Sequence, residues 1–147
     1  LISDRQLADT HTCIDHVKPN GTSHQQHKCI VDGSAHAVFN GKIIVRPHAQ
    51  RTNSSQSSRN LLLSKTAQID TKPQLEIFAD DVKCAHGATV GQLDPEEIFY
   101  LKSRGLSELS ARNLLTFAFG AEIISRISIP SLRQQLEQAV LNQTQSN

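Results

Sequence analysis

The sequence predicts a mainly β fold that gives way to a small helical region at its C-terminal end. Two observations carry this. From Leu1 to about Leu93, short apolar runs alternate with polar residues and are cut by turn signals, with no helical period between them. At Asp94 the apolar spacing changes to three- and four-residue steps. Pattern alone leaves the β part open among a barrel, a sandwich and a parallel β-helix, because no strict repeat is visible.

Ile2 to Val17 holds short alternating pieces, and Pro19-Asn20-Gly21 is a strong turn signal. Lys28 to Val31 reads as a short strand closed by Asp32-Gly33. Ala35 to Val45 carries Val38, Phe39, Ile43, Ile44 and Val45 around Asn40-Gly41, which reads as a hairpin-type or bulge-forming turn. Pro47 blunts that strand. Gln50 to Asn60 is polar and fits either a linker or a ladder of hydrogen-bonding side chains between stacked rungs. Leu61-Leu62-Leu63 is consistent with a buried strand, and Ile69-Asp70 and Leu75-Glu76-Ile77 continue the pattern. The expected strands are short and spaced irregularly, roughly ten residues apart.

The run PQLEIFADDVKCAHGATVGQL organises the chain. Val82, Cys84, His86, Ala88 and Val90 share one parity, so a strand projects them from one face. The Cα atoms of Cys84 and His86 then stand about 7 Å apart. Thiolate and imidazole both suit iron and zinc, but two donors are not a complete site. A small buried thiol beside a hydrogen-bonded histidine is the plain structural reading. Asp80-Asp81 face opposite ways in a strand, so a bulge or turn role fits better than a carboxylate pair.

Asp94 is an N-cap candidate with Pro95 at N1 and Glu97 as the acid of a capping box, and Gly105 suits the helix C-terminus. Ser107 caps a second helix whose stripe is Leu114, Leu115, Ala118, Ala121 and Ile124, widened by Phe117 and Phe119. That surface is either core or a docking face. Ser131 caps a third helix with Leu132, Leu136, Ala139 and Val140 on one face, and the tail NQTQSN is expected to fray.

Fifteen Lys and Arg against fourteen Asp and Glu leave a charge of +1 with no basic block, so a nucleic-acid footprint is not indicated. Aromatics are 4%, so aliphatic side chains must build the core. No run of about 18 apolar residues predicts a membrane span. Three cysteines, Cys13, Cys29 and Cys84, cannot all pair and suit a reducing compartment. The start at Leu1 and the lack of methionine predict a piece of a longer chain. No Walker A loop, nucleophile elbow or dinucleotide fingerprint is present, so the chain does not look built to hydrolyse a nucleotide. The cluster His11, Cys13, His16, His24, His27 and Cys29 offers an alternative, a zinc-binding β module, although its spacing is not that of paired Cys and His ligands. A carbohydrate-active β-helix would need convergent carboxylates, and the β part has few on shared parity.

The runs ADDVKCAHGATVGQLD and IFYLKSRG are similar to the end of the core domain of the SufB/SufD family of iron–sulfur cluster assembly proteins, closer to its SufD branch. DHVKPNGTSHQQHK, FNGKIIV, AQRT and NLLLSKTAQIDTKPQLEI fit the same family in order, over a stretch from about Asp15 to about Gly120.

The resemblance implies a right-handed parallel β-helix, here its C-terminal rungs over residues 1–93, followed by a helical domain over 94–147. It favours the ladder reading of Gln50 to Asn60. It implies a non-catalytic scaffold that pairs with a SufB-like paralogue and binds a SufC-like ABC ATPase. Cys84 and His86 stand in the family's CxHG motif and are expected at the subunit seam, as transient metal ligands with His86 first. The iron–sulfur cluster is cargo of the complex, and none is expected on the isolated chain. The helix from Ser107 to about Ser128 is expected to dock the ATPase. Cys29 stands where the family pattern expects glycine and is given no role. The implied setting is the cytoplasm or plastid stroma, and an open sheet end predicts a homodimer of the isolated chain.

Overall fold

The computed structural model describes residues 1–145. Six strands precede three helices: β1 (Leu7–His16), β2 (Thr22–Val31), β3 (His36–Val45), β4 (Asn53–Leu62), β5 (Gln68–Ile77), β6 (Lys83–Gln92), α1 (Pro95–Ser103), α2 (Glu108–Ile124) and α3 (Pro130–Gln145). Every strand holds ten residues, and their starts lie 14 to 17 residues apart. The expected short, irregular strands are therefore long and regular. The polar residues within each strand had broken the apolar pattern into fragments.

Consecutive strands do not pair. Odd and even strands form two parallel three-stranded sheets, β1-β3-β5 and β2-β4-β6. Leu7 pairs with His36, Thr22 with Asn53 and His36 with Gln68, so one coil takes 29 to 32 residues. This is the stacking of a parallel β-helix with two strands per coil. It settles the fold left open among barrel, sandwich and helix.

The interior is divided along the strands. One apolar cluster, Cys29, Val31, Ala35, Ala37 and Ala67, sits where β2 turns into β3. Another, Ile43, Val45, Ala49 and Ala79, sits where β3 turns into β4, with Ile14, Leu75, Val82 and Cys84 packed against it. Fully burying a side chain such as Ile43 contributes about 1.5–3 kcal/mol. Between the clusters runs a polar belt. The Oγ atoms of Ser23 and Ser54 meet at 2.7 Å, and Gln56 Nε2 donates to Gln25 Oε1 at 2.6 Å. Gln25 Nε2 donates to Thr12 Oγ1 at 2.8 Å, and Thr71 Oγ donates to Ser58 Oγ at 3.2 Å. The polar stretch Gln50 to Asn60 is thus largely strand β4, with Ser54, Gln56, Ser58 and Asn60 buried as ladder rungs.

Asn40-Gly41 is not a turn. It lies in the middle of β3, whose odd positions are all buried. A Cβ on Gly41 would meet the side-chain amide nitrogen of Gln56 and would lie 2.7 Å from Phe39 Cζ. The glycine is needed for close approach, not for its backbone freedom. The turns at Pro19-Asn20-Gly21 and Asp32-Gly33 are present, with Asn20 at φ 63° and Gly33 at φ 61°.

By its contacts the chain divides into two compact units, residues 2–90 and the part from Gly91 onward. In the second unit, Asp94 caps α1 by accepting from the Glu96 N–H at 2.8 Å, and Pro95 opens the helix. Gly105 takes φ 94° after its end. Ser107 caps α2 through the Ser110 N–H. The expected stripe on α2 needs correction. Its buried residues are Ala111, Thr116, Gly120 and Ile124, while Leu114 is 47% exposed and Ala118 is also exposed. Ile124 of the expected stripe is buried and Leu115 and Ala121 are half-buried, while the small residues Ala111 and Gly120 let the helices pack closely. On α3, Val140 of the expected face is half-buried, but Leu132, Leu136 and Ala139 are exposed, and Arg133, Glu137 and Leu141 are half-buried. The tail expected to fray is helical through Gln145, and its last two residues lie outside the described residues. Among the described residues, no helix is long and apolar enough to cross a membrane.

Candidate functional site

Strand β6 is an edge strand of the β2-β4-β6 sheet. Among the described residues no strand pairs beyond it, so side chains on its inward face stay accessible. Asn53 pairs with Thr22, and its N–H donates to the carbonyl of Gly21, the residue before that partner. Lys83 N–H donates to the Thr52 carbonyl in the same way, at 2.8 Å. Lys83 therefore lies opposite Asn53, and this register carries Cys84 over Ser54 and His86 over Gln56. Asn60 Nδ2 donates to the Thr89 carbonyl at 3.0 Å, beside Val90, the residue this register sets opposite Asn60.

Cys84 is half-buried against the cluster of Ile43, Val45, Ala49 and Ala79. Burial pushes its thiol pKa up, against a smaller opposing hydrogen bond with the Ser54 backbone. At neutral pH it is a thiol, and it becomes a ligand only when a metal or base removes the proton. His86, two residues on, shares the inward parity but is exposed, because no further coil covers it. Asp80 and Asp81 lie in the bend before β6, as expected, where Asp81 N–H donates to Gln50 Oε1 at 2.9 Å.

The zinc alternative is not supported by the geometry. Strand parity scatters its residues. His11 and Cys13 lie on the outward parity of β1, and His11 pairs with Asp9 at 2.8 Å. His24 points outward to Ser55 Oγ at 2.7 Å. His16 is buried with its Nε2 2.9 Å from Ser23 Oγ. His27 stacks on Phe39 at 4.0 Å, and Cys29 sits in an apolar cluster. Among the described residues, no three His, Cys, Asp or Glu side chains converge to hold a metal ion.

The sequence reading missed Gln56. It is 2% exposed, and its Oε1 has no hydrogen-bond partner among the described residues. Leaving such an acceptor unpaired costs about 1–3 kcal/mol. The available signal was its distance of one coil from Gln25, legible only once the coil length is known.

Residues 1–119 match the family described as SUF system FeS cluster assembly, SufBD core domain. The chain belongs to the SufBD family. An iron–sulfur cluster assembly SufBD family protein of Synechocystis is 51% identical over 140 residues, covering 95% of this chain and 31% of the relative. The iron–sulfur cluster assembly protein SufD of Escherichia coli is 48% identical over 131 residues, 89% of this chain and 31% of that protein. The Arabidopsis thaliana protein ABCI7, chloroplastic, is 42% identical over 133 residues, 90% of this chain and 28% of the relative. The chain thus spans less than a third of the length of these SufBD relatives.

Proposed function

We propose that this chain is a non-catalytic scaffold unit in iron–sulfur cluster assembly. It pairs with a SufB-like paralogue through the open end of the β-helix and docks a SufC-like ATPase through its helices. The observation that carries the reading is the terminal coil. Edge strand β6 leaves Cys84 and His86 on one inward face with only part of the thiol covered. Two donors from this chain leave the remaining ligands of a nascent cluster to a partner. Ile77, Phe78 and Val90, all exposed around the last coil, supply apolar surface for that contact.

The helical unit supports the second contact. Phe99, Tyr100, Leu109, Leu114, Leu132 and Leu136 are exposed large apolar side chains on its three helices. The cytoplasm or plastid stroma is the proposed setting, and the cluster is cargo passed through the complex. Without a paralogue, the same edge pairs two copies of the chain.

Mixing the chain with a SufB-type partner and measuring mass by light scattering tests the pairing. A one-to-one complex that is lost on Val90→Asp supports it. Two separate species at high concentration, with or without the substitution, contradict it.

A further inference from the structure

The polar belt inside the β-helix has a direction. Gln25 donates to Thr12, and Gln56 in the next coil donates to Gln25. Gln25 gives its N–H within the first coil, Gln56 gives its N–H back to that coil, and each carbonyl is left for the coil that follows. For Gln25 that carbonyl is taken by Gln56. For Gln56 the following coil is β6, and the residue opposite is His86. The Gln56 Oε1 atom is buried and without a partner among the described residues, while the His86 side chain above it is exposed.

The amide itself cannot turn freely. Its nitrogen is tied to Gln25 Oε1, and the space beside it exists only because residue 41 is glycine. A buried acceptor is thus held at the one place in the ladder where the next donor is an imidazole N–H.

We infer that Gln56 is the positioning residue for His86: a ring N–H of His86 donates to Gln56 Oε1, which fixes the tautomer and leaves the other ring nitrogen, with its lone pair, facing the open end. Ligating histidines hold their tautomer by such a second hydrogen bond. Turning the exposed ring toward Gln56 Oε1 closes the ladder. The consequence for cluster binding rests on the reading of His86 given above, whereas the hydrogen bond itself does not.

Nitrogen-15 NMR of the histidine rings in this chain, at a pH where they are neutral, tests the inference. His48 is exposed and serves as the reference. A single His86 tautomer is expected, its ring proton exchanging with water about tenfold more slowly than that of His48, the protection one hydrogen bond confers. Gln56→Leu abolishes that protection, and Gln56→Glu, which keeps an acceptor, retains it. A His86 ring proton in the unsubstituted chain that exchanges as fast as that of His48 overturns the inference, and water entering the open end is then the partner of Gln56. If the protection is seen but His86→Ala leaves cluster yield unchanged, the hydrogen bond stands and the assembly role of His86 fails.

Discussion

Gln25 and Gln56 stand in register on successive coils, and their side-chain amides meet at 2.6 Å inside the β-helix. A buried amide ladder exchanges flexibility for a defined register, because a slip of one residue would place each amide on the outer face. It explains how a strand as polar as β4 stays in the interior. It also places an open acceptor, Gln56 Oε1, beneath the terminal strand.

Gly41→Ala should destabilise the chain. The new methyl would press on the Gln56 amide and on Phe39, and overpacking of this kind costs about 1–3 kcal/mol. Urea denaturation checks this: the midpoint falls while the slope is unchanged. A midpoint equal to that of the parent would show that the amide has room to move.

His27 should make stability depend on pH near neutrality. Burial against Phe39 holds its imidazole pKa below the ordinary histidine value. The unfolded chain then binds the proton more readily, so the contribution is full above about pH 6.5 and is lost as pH falls toward the lower folded value. His27→Leu removes a titrating group with an unpartnered buried Nδ1. The variant should gain stability over the parent as pH drops from 7 to 5. A constant difference across that range would contradict the assignment.

Asp15 acts in a more acid window. Arg46 holds it with bonds of 3.0 and 2.8 Å and lowers its carboxyl pKa. Its contribution is present above the ordinary carboxylate value of about 3.9 and disappears as pH falls through the lower folded value. The stability difference between the parent and Asp15→Asn should therefore vanish at acid pH. The pair is on the surface, so added salt should shrink it at neutral pH.

The switch from strands to helices was legible because its signals are local: Asp94 caps, Pro95 opens and Gly105 closes the same helix that they mark in the sequence. Other features depend on residues one coil away. Asn40-Gly41 carries the composition of a turn, yet the glycine answers to Gln56 on another strand. The cysteines and histidines between His11 and Cys29 crowd together in sequence, but alternation sends neighbours to opposite faces. On α2 and α3 the apolar period located the helices and only part of their buried faces, Ile124 among them, because Ala111 and Gly120 take positions that larger side chains would fill by hydropathy alone.

Leu114 tests the helical contact. It is exposed, so Leu114→Glu should change stability by no more than about 0.5 kcal/mol. Capture of a SufC-type ATPase by the chain should nonetheless weaken. Equal capture with an unchanged melting curve would remove α2 from the docking surface.

The most direct test is the yield of iron–sulfur cluster on a complex reconstituted with SufB- and SufC-type partners, comparing the parent chain with His86→Ala. His86 is exposed on an edge strand, so the variant should fold and assemble normally. Cluster yield should fall about tenfold or more, the scale seen when a metal site loses a ligand or its support. An unchanged yield on a correctly assembled complex would contradict the role given to the open end of the β-helix.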